Sequence, residues 1–256
     1  MMEDTKISVV VPTYNRPQYL DKALRSVFES TYRNLEVVVV NDGGCDVKDI
    51  IDQYKVRYVY QDNLGKELGC AGPLNTGIKL CTGEFIHCLA DDDMVMPNYY
   101  ALAVKTLKEF RRQNERILAI NSPMFEINEK DDIVGLRSLE FFYCMKNQIN
   151  SSDNLQDVCL RSSNFFYAPS MFMHKSLFDN LGLFDGSFGS ACDYEMWLRI
   201  IFNNYYIAPH FDFGIKYRVW TGSFTNKVEN QSKIGLEYAT KARDFYKRRH
   251  CHATEK

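Results

Sequence analysis

The stretch ISVVVPTYNRPQYLDKALRSVFESTYRNLEVVVVNDGG, residues 7–44, decides the fold. Ile7 to Val11 is a short β-branched run of the kind that fills a buried strand. In the segment that follows, Leu20, Ala23, Leu24, Val27 and Phe28 recur at helical spacing and form one apolar face. Asn15 is placed to cap that helix, with Pro17 in its first turn and Gln18 three residues after the cap. Leu35 to Val40 is a second strand. The unit is therefore strand, helix, strand.

The same rhythm continues outward. Val56 to Tyr60 reads as a third strand, and Leu74 to Cys81 as a helix stopped near Gly83. EFIHCL, residues 84–89, is a fourth strand. A helix from about Asn98 to Phe110 leads to a fifth strand, Ile117 to Asn121. Alternation of this kind predicts an α/β fold with a mostly parallel central sheet flanked by helices. In such sheets ligands sit beyond the carboxyl ends of the strands. PTYNR, NDGG and DDD stand at three of those ends. Residues 122 to about 170 lose the rhythm and read as irregular. In ACDYEMWLRIIFNN, Met196, Trp197, Ile200 and Ile201 return to helical spacing. YYIAP and FGIKYRVW read as strands, and the basic KARDFYKRRHCHATEK as a helix that frays in solvent. The expectation is one domain over 1–256, with a nucleotide half to about 121, a second half over 122–220 and a tail over 221–256.

Composition removes several classes of function. Hydrophobic residues make up 45% and charged residues 25% of 256, as in soluble globular proteins. The formal charge of −2 gives no basis for bulk nucleic-acid binding. No apolar run reaches the roughly 18 residues of a membrane span. The start lacks the basic and long apolar regions of a signal peptide, so the expected location is the cytoplasm. The eight cysteines show no CxxC spacing and read as buried reduced thiols.

Four constellations carry candidate chemistry, each with a plainer alternative. Asp91, Asp92 and Asp93 end an apolar strand, where oxygen ligands suit a hard divalent cation, Mg2+ or Mn2+. They could equally be a solvated turn that caps the next helix. Pro12 to Arg16 form a strand-to-helix turn that favours an anion, with Tyr14 able to pack on a base and Arg16 to meet a phosphate; simple capping is the other reading. Asp42 in NDGG can accept from a base or a ribose, or serve a turn. Asp193 opens an amphipathic helix, either as a cap or as a general base. Glu195 and Arg199 lie at i, i+4 and read as a surface pair. The basic tail reads as solvated helix, or as a contact for an anionic membrane surface.

Together these segments resemble the inverting family 2 glycosyltransferases, which have the GT-A fold. The likeness runs from residue 7 through GPLNTGIKLCTGEFIHCLADDDMVMP to CDYEMWLRI, covering about residues 6–203. The resemblance implies that Pro12, Thr13, Tyr14 and Arg16 line a nucleoside pocket and that Asp42 binds the base. It implies that Asn75, Asp91 and Asp92 face the nucleotide sugar, with Asp92 and Asp93 as cation ligands. Asp193 would be the catalytic base, on a helix supported by Trp197. The implied donor is a nucleotide-diphospho sugar, UDP-linked, and the acceptor a hydroxyl of a glycan or a lipid-linked glycan in surface polysaccharide synthesis. Peripheral contact at the inner face of the membrane would go through the tail. The chain departs from the family at Pro73-Leu74-Asn75, where Ala-Arg-Asn is frequent, at Ala90, at Cys192, where Glu is frequent, and at Trp220, where His is frequent. A sugar-phosphate nucleotidyltransferase would bring a Gly-rich loop, which PTYNRP does not supply. A non-catalytic relative would not need Asp193 and the aspartate triplet intact.

Overall fold

The computed structural model describes residues 5–64, 68–137, 156, 166–223 and 229–254. It begins as the sequence predicts, with β1 (Ile7–Thr13), α1 (Pro17–Phe28) and β2 (Leu35–Asp42). α2 (Lys48–Ile51), β3 (Arg57–Gln61), α3 (Ala71–Leu80) and β4 (Phe85–Cys88) follow. Then come β5 (Met94–Val95), α4 (Tyr99–Gln113), β6 (Ile117–Asn121), β7 (Met124–Ile127) and β8 (Ile133–Arg137). The remainder is β9 (Met171–His174), α5 (Ser176–Leu181), α6 (Cys192–Phe202), β10 (Tyr206–Pro209), β11 (Ile215–Arg218) and α7 (Glu229–Thr254).

Seven strands form the main sheet in the order β10-β6-β9-β4-β1-β2-β3. All neighbours are parallel except β9, which runs antiparallel between β4 and β6. The alternation of strand residues explains the layers. Val10, Val38, Val40 and Ile86 face α3, α6 and α7, while Val9, Val11, Val37, Val39 and Phe85 face α1 and α4. Leu20 and Leu24 of α1 are fully buried on that second face, each worth about 1.5–3 kcal/mol. On the first face Gly77 of α3 lies so close to Val10 that a side chain there would collide with it. That contact sets how near α3 can come to β1.

A second sheet, β5-β11-β7-β8, sits beside the first. β7 and β8 fall within the segment that reads as irregular. Both are short, and their alternation is too brief to register as a period. Residues 138–155 and 157–165 of that segment lie outside the described residues.

Two expectations about helix ends are corrected. Asn15 does not cap α1, whose N-cap is Arg16, with no side-chain capping bond to the helix. Asn15 instead takes a left-handed conformation, φ 56°, and its Oδ1 accepts the Cys45 N–H at 2.7 Å. The tail is not wholly solvated over its described residues. Ala242 and Tyr246 of α7 are buried against the core, and Lys241 donates to the Ser187 carbonyl at 2.9 Å.

One polar knot fixes the order of the first three parallel neighbours. Glu36 on β2 accepts from Lys6 at 2.8 Å, from Ser8 at 2.7 Å and from the Thr82 N–H at 2.8 Å. The Thr82 hydroxyl donates to it at 2.7 Å, just before β4. Burial alone would raise this carboxyl, but the bonds from Lys6, Thr82 and Ser8 outweigh it and hold it down at about 2. A depressed acid stabilises the fold above its unfolded value and loses that contribution as pH falls. Glu36→Gln should therefore cost about 2 kcal/mol at neutral pH, after allowance for partial exposure. The difference from wild type should shrink between about pH 4.5 and pH 2. Urea midpoints across that range measure it; a gap independent of pH would show that Glu36 is not held as described.

Candidate active site

The ends of β1, β2 and β4 converge through register. Thr13, the last residue of β1, is paired with Asn41, and Asp42 with Gln61. Beyond β4 the Leu89 N–H still bonds to the Val10 carbonyl at 2.9 Å, so the chain reaches Ala90 alongside β1. A turn then closes from the Asp93 N–H to the Ala90 carbonyl at 3.1 Å. The aspartate triplet is that turn, and it is not solvated. Asp91, Asp92 and Asp93 are 4%, 8% and 1% exposed.

Asp91 and Asp92 share one cation, and Asp93 has a separate partner. Asp91 accepts from the Thr13 hydroxyl at 2.7 Å and from Arg16 Nη1 at 3.0 Å. The same Nη1 reaches Asp92 Oδ2 at 3.0 Å, and Trp220 Nε1 donates to that oxygen at 2.9 Å. Asp93 faces inward and accepts the Arg218 backbone N–H at 2.8 Å. Burial pushes the Asp91 carboxyl up to about 6, with Arg16 opposing and the charge of Asp92 adding. Burial and then the Asp92 charge push Asp93 well above the usual carboxylate range. Arg16 is raised despite its own burial, by Asp91 and then Asp92.

Arg218 is the residue that sequence reading missed. Its side chain is fully buried, and Nε donates to the Asp92 carbonyl at 2.9 Å while Nη1 donates to the Asn128 carbonyl at 2.6 Å. The guanidinium pairs with Asp131 and lies 4.7 Å above the Tyr19 ring. Tyr19 packs edge-on against Trp220 at 5.0 Å. The charged neighbour Lys216 on the same strand hides the signal, since nothing in IKYRVW marks one cation as buried and the other as not.

The remaining candidates are placed as follows. Pro12 is half-buried, and Tyr14 is 48% exposed on the turn, free to meet a flat ligand. Asp42 is buried and accepts from Gln61 Nε2 and from the Leu64 N–H. Asn75 clamps the backbone of Phe184 in both directions, at 2.8 and 3.0 Å. That clamp joins α3 to the segment leading into α6. Asp193 lies in the first turn of α6, and its Oδ1 accepts the Tyr194 N–H at 2.7 Å. Trp197 is buried and meets Phe184 edge-on at 6.2 Å, under the same helix.

Glu195 and Arg199 are not a surface pair. Glu195 is buried, paired with Arg199, and accepts the Tyr246 hydroxyl at 2.7 Å. Spacing of i, i+4 predicts the pair but not its cover. The cover comes from α7, more than forty residues on.

The family model of glycosyl transferase family 2 matches residues 8–182. The chain belongs to glycosyl transferase family 2. An uncharacterized glycosyltransferase of Rickettsia typhi is 28% identical over 230 residues, spanning 88% of this chain and 67% of that protein. S. aureus TarS 1–349 in complex with UDP-GlcNAc superposes with a TM-score of 0.64 at 22% identity, covering 90% of this chain and 64% of that TarS 1–349 chain. The Pyrobaculum calidifontis mannosyltransferase PcManGT in complex with GDP-Man and Mn2+ gives 0.63 at 18%, covering 94% and 74%. These two likenesses show the GT-A fold, and with the family they make the chain a glycosyltransferase.

A divalent cation can be tested against this glycosyltransferase's own residues. Among the described residues no three His, Cys, Asp or Glu side chains group to hold a metal. Asp93, expected as a ligand beside Asp92, is turned inward onto Arg218. Both Asp91 oxygens are taken. The two bonds to Asp92 both fall on Oδ2, which leaves Oδ1 without a hydrogen bond among the described residues. The donor set fits a cation that takes one carboxylate and completes its shell with water and ligand oxygens, and does not fit an all-protein cage.

Arg218→Met removes the only guanidinium shared by Asp131, Asn128 and the Asp92 carbonyl among the described residues. The expected loss is about 3 kcal/mol in urea unfolding, since one partner of a buried pair is removed. A loss below about 1 kcal/mol would mean that Arg218 does not organise the turn.

Proposed function

We propose that the protein is a metal-dependent inverting glycosyltransferase that moves a hexosyl group from a nucleotide-diphospho sugar, UDP-linked, to a hydroxyl of a glycan or lipid-linked acceptor in surface polysaccharide synthesis. The observation that carries the reading is the dry turn at the ends of β1 and β4, where Arg16 bridges Asp91 and Asp92 and one oxygen of Asp92 stays open. A nucleotide-sugar donor is supported by the complexes of TarS with UDP-GlcNAc and of PcManGT with GDP-Man.

Tyr14, exposed at the mouth of the turn, would stack on the base, with Pro12 and Thr13 forming the floor. Asp42 would orient the nucleoside, and Asn75 would hold the approach to α6. A divalent cation held by Asp92 would offset charge that builds on the departing diphosphate. Arg16 is the chain's own cation at the same place and would add to that field. Asp193 would take the proton of the acceptor hydroxyl while its oxygen attacks the anomeric carbon. The bond from that carbon to the diphosphate breaks on the opposite face, and the configuration inverts. No described helix is long and apolar enough to cross a membrane. We place the protein in the cytoplasm, with exposed Lys247 and Arg248 of α7 available to anionic lipid at the inner face. Within one domain, residues to about 121 would hold the donor, residues 122–220 would carry the acceptor side and the base, and 221–256 would form the tail.

Asp193→Asn should lower transfer by about 10²–10⁴-fold and leave donor affinity within about twofold. Product formation and calorimetric titration of the donor measure the two effects, and wild-type turnover in this variant would remove Asp193 from the role.

Asp92→Asn should weaken the donor and flatten the dependence of activity on Mn2+. Thermal shift against UDP- and GDP-sugars with Mn2+ reads both base preference and affinity, because a ligand at about 100 times its Kd adds about 2.7 kcal/mol to the folded state. An Asp92→Asn protein with unchanged Mn2+ dependence would contradict the assignment.

A further inference from the structure

Two cysteines that sequence reading treats as separate buried thiols meet at the base of α6. Cys70 and Cys192 are 122 residues apart, and their sulfurs lie 2.9 Å from each other. Cys70 precedes α3 and is exposed, whereas Cys192 is the first residue of α6 and is buried. Two glycines make the approach. Gly69 has φ +59°, and a Cβ there would stand 2.9 Å from the Gly189 carbonyl oxygen. Gly189 itself has φ +50°. No residue with a side chain would let these loops close so tightly without strain. Three further cysteines stand differently: Cys45 is exposed, and Cys81 and Cys88 are buried.

We propose that Cys70 and Cys192 are an oxidation site that takes a low-molecular-weight disulfide and closes into an intramolecular disulfide, which slows transfer by fixing the helix that carries Asp193. The exposed Cys70 sulfur, as thiolate, attacks one sulfur of the small disulfide, whose S–S bond breaks and releases one thiol. Cys192 then attacks the Cys70 sulfur of the mixed disulfide, and the second small thiol leaves with the remaining proton. Two protein thiols are oxidised and one small disulfide is reduced to two thiols. Cys70 is the entry point because Cys192 has no exposed surface. The bond from Cys70, and then burial, also push the Cys192 thiol well above its usual range. Its burial beside the Cys70 sulfur suits it to resolve the mixed disulfide rather than to start the exchange.

The effect on activity follows from geometry and rests on Asp193 as the base. A disulfide brings two sulfurs to about 2.05 Å, so the pair at 2.9 Å must close by about 0.9 Å. Asp193 is the next residue on the same first turn of α6. A displacement near 1 Å at a reacting group can cost on the order of 10²-fold. The donor turn, built from β1, β4 and β11, is on other elements.

The test uses the full chain with glutathione disulfide. Peptide mapping after oxidation should show one link, Cys70 to Cys192, formed with the loss of two hydrogens from the intact mass. Tm should rise, transfer should fall by about tenfold or more, and UDP-sugar affinity should stay within about twofold. Dithiothreitol should reverse all of it. Cys70→Ser should keep basal transfer and lose the response to oxidant, and Cys192→Ala should stop at a mixed disulfide on Cys70. Free thiols after oxidation, a lasting mixed disulfide in wild type, or a link to another cysteine would overturn the site. A clean Cys70–Cys192 link with unchanged transfer would overturn the control of α6. If Asp193→Asn keeps full turnover while the link still forms, the fault lies with the base and not with the pair.

Discussion

Three carboxylates in consecutive positions, all removed from water, are the constraint around which this molecule is arranged. Left alone they would repel one another and each would resist burial. The chain answers with donors drawn from four separate places. Arg16 comes from the start of α1, Thr13 from the end of β1, and Arg218 and Trp220 from β11 and the residues after it. None of these could arrive unless the parallel register of β1 against β4 and the small second sheet were both in place. The electrostatics of one turn thus depend on the topology of two sheets.

The compensation is uneven. Arg16 serves Asp91 and Asp92 with a single nitrogen, and Asp92 shares one oxygen between that nitrogen and the Trp220 indole. Asp93 is settled by a backbone N–H, and burial, then the Asp92 charge, push its carboxyl well above the usual carboxylate range. On Asp92 one oxygen is left over among the described residues. Under the proposed function, that open oxygen is where a divalent cation beneath the diphosphate would be held.

Much of the framework was legible from periodicity. The strand β1, the helix α1, and the strands β2, β4 and β6 fall within a residue or two of their expected bounds, because β-branched runs and a helical apolar face are local signals. The convergence of PTYNR, NDGG and DDD followed from the rule for strand ends. What stayed hidden is what depends on distant partners. Asn15 has the right chemistry for a cap, but the turn after β2 claims its side chain. Glu195 reads as exposed until α7 lays Tyr246 over it. Arg218 looks like any charged residue of an edge strand until the turn it supports is seen. Cys70 and Cys192 meet only because two glycines let their loops touch. Pairings across a hundred residues leave no trace in composition or spacing.

The guanidinium of Arg218 has one further consequence. It stands between the donor turn and the loop that joins β7 to β8, touching Asp92 on one side and Asn128 and Asp131 on the other. Two halves that share a buried charge cannot be ordered independently. Whatever free energy the second sheet gains when something settles against it is felt at the turn, and by reciprocity a filled turn returns the same amount.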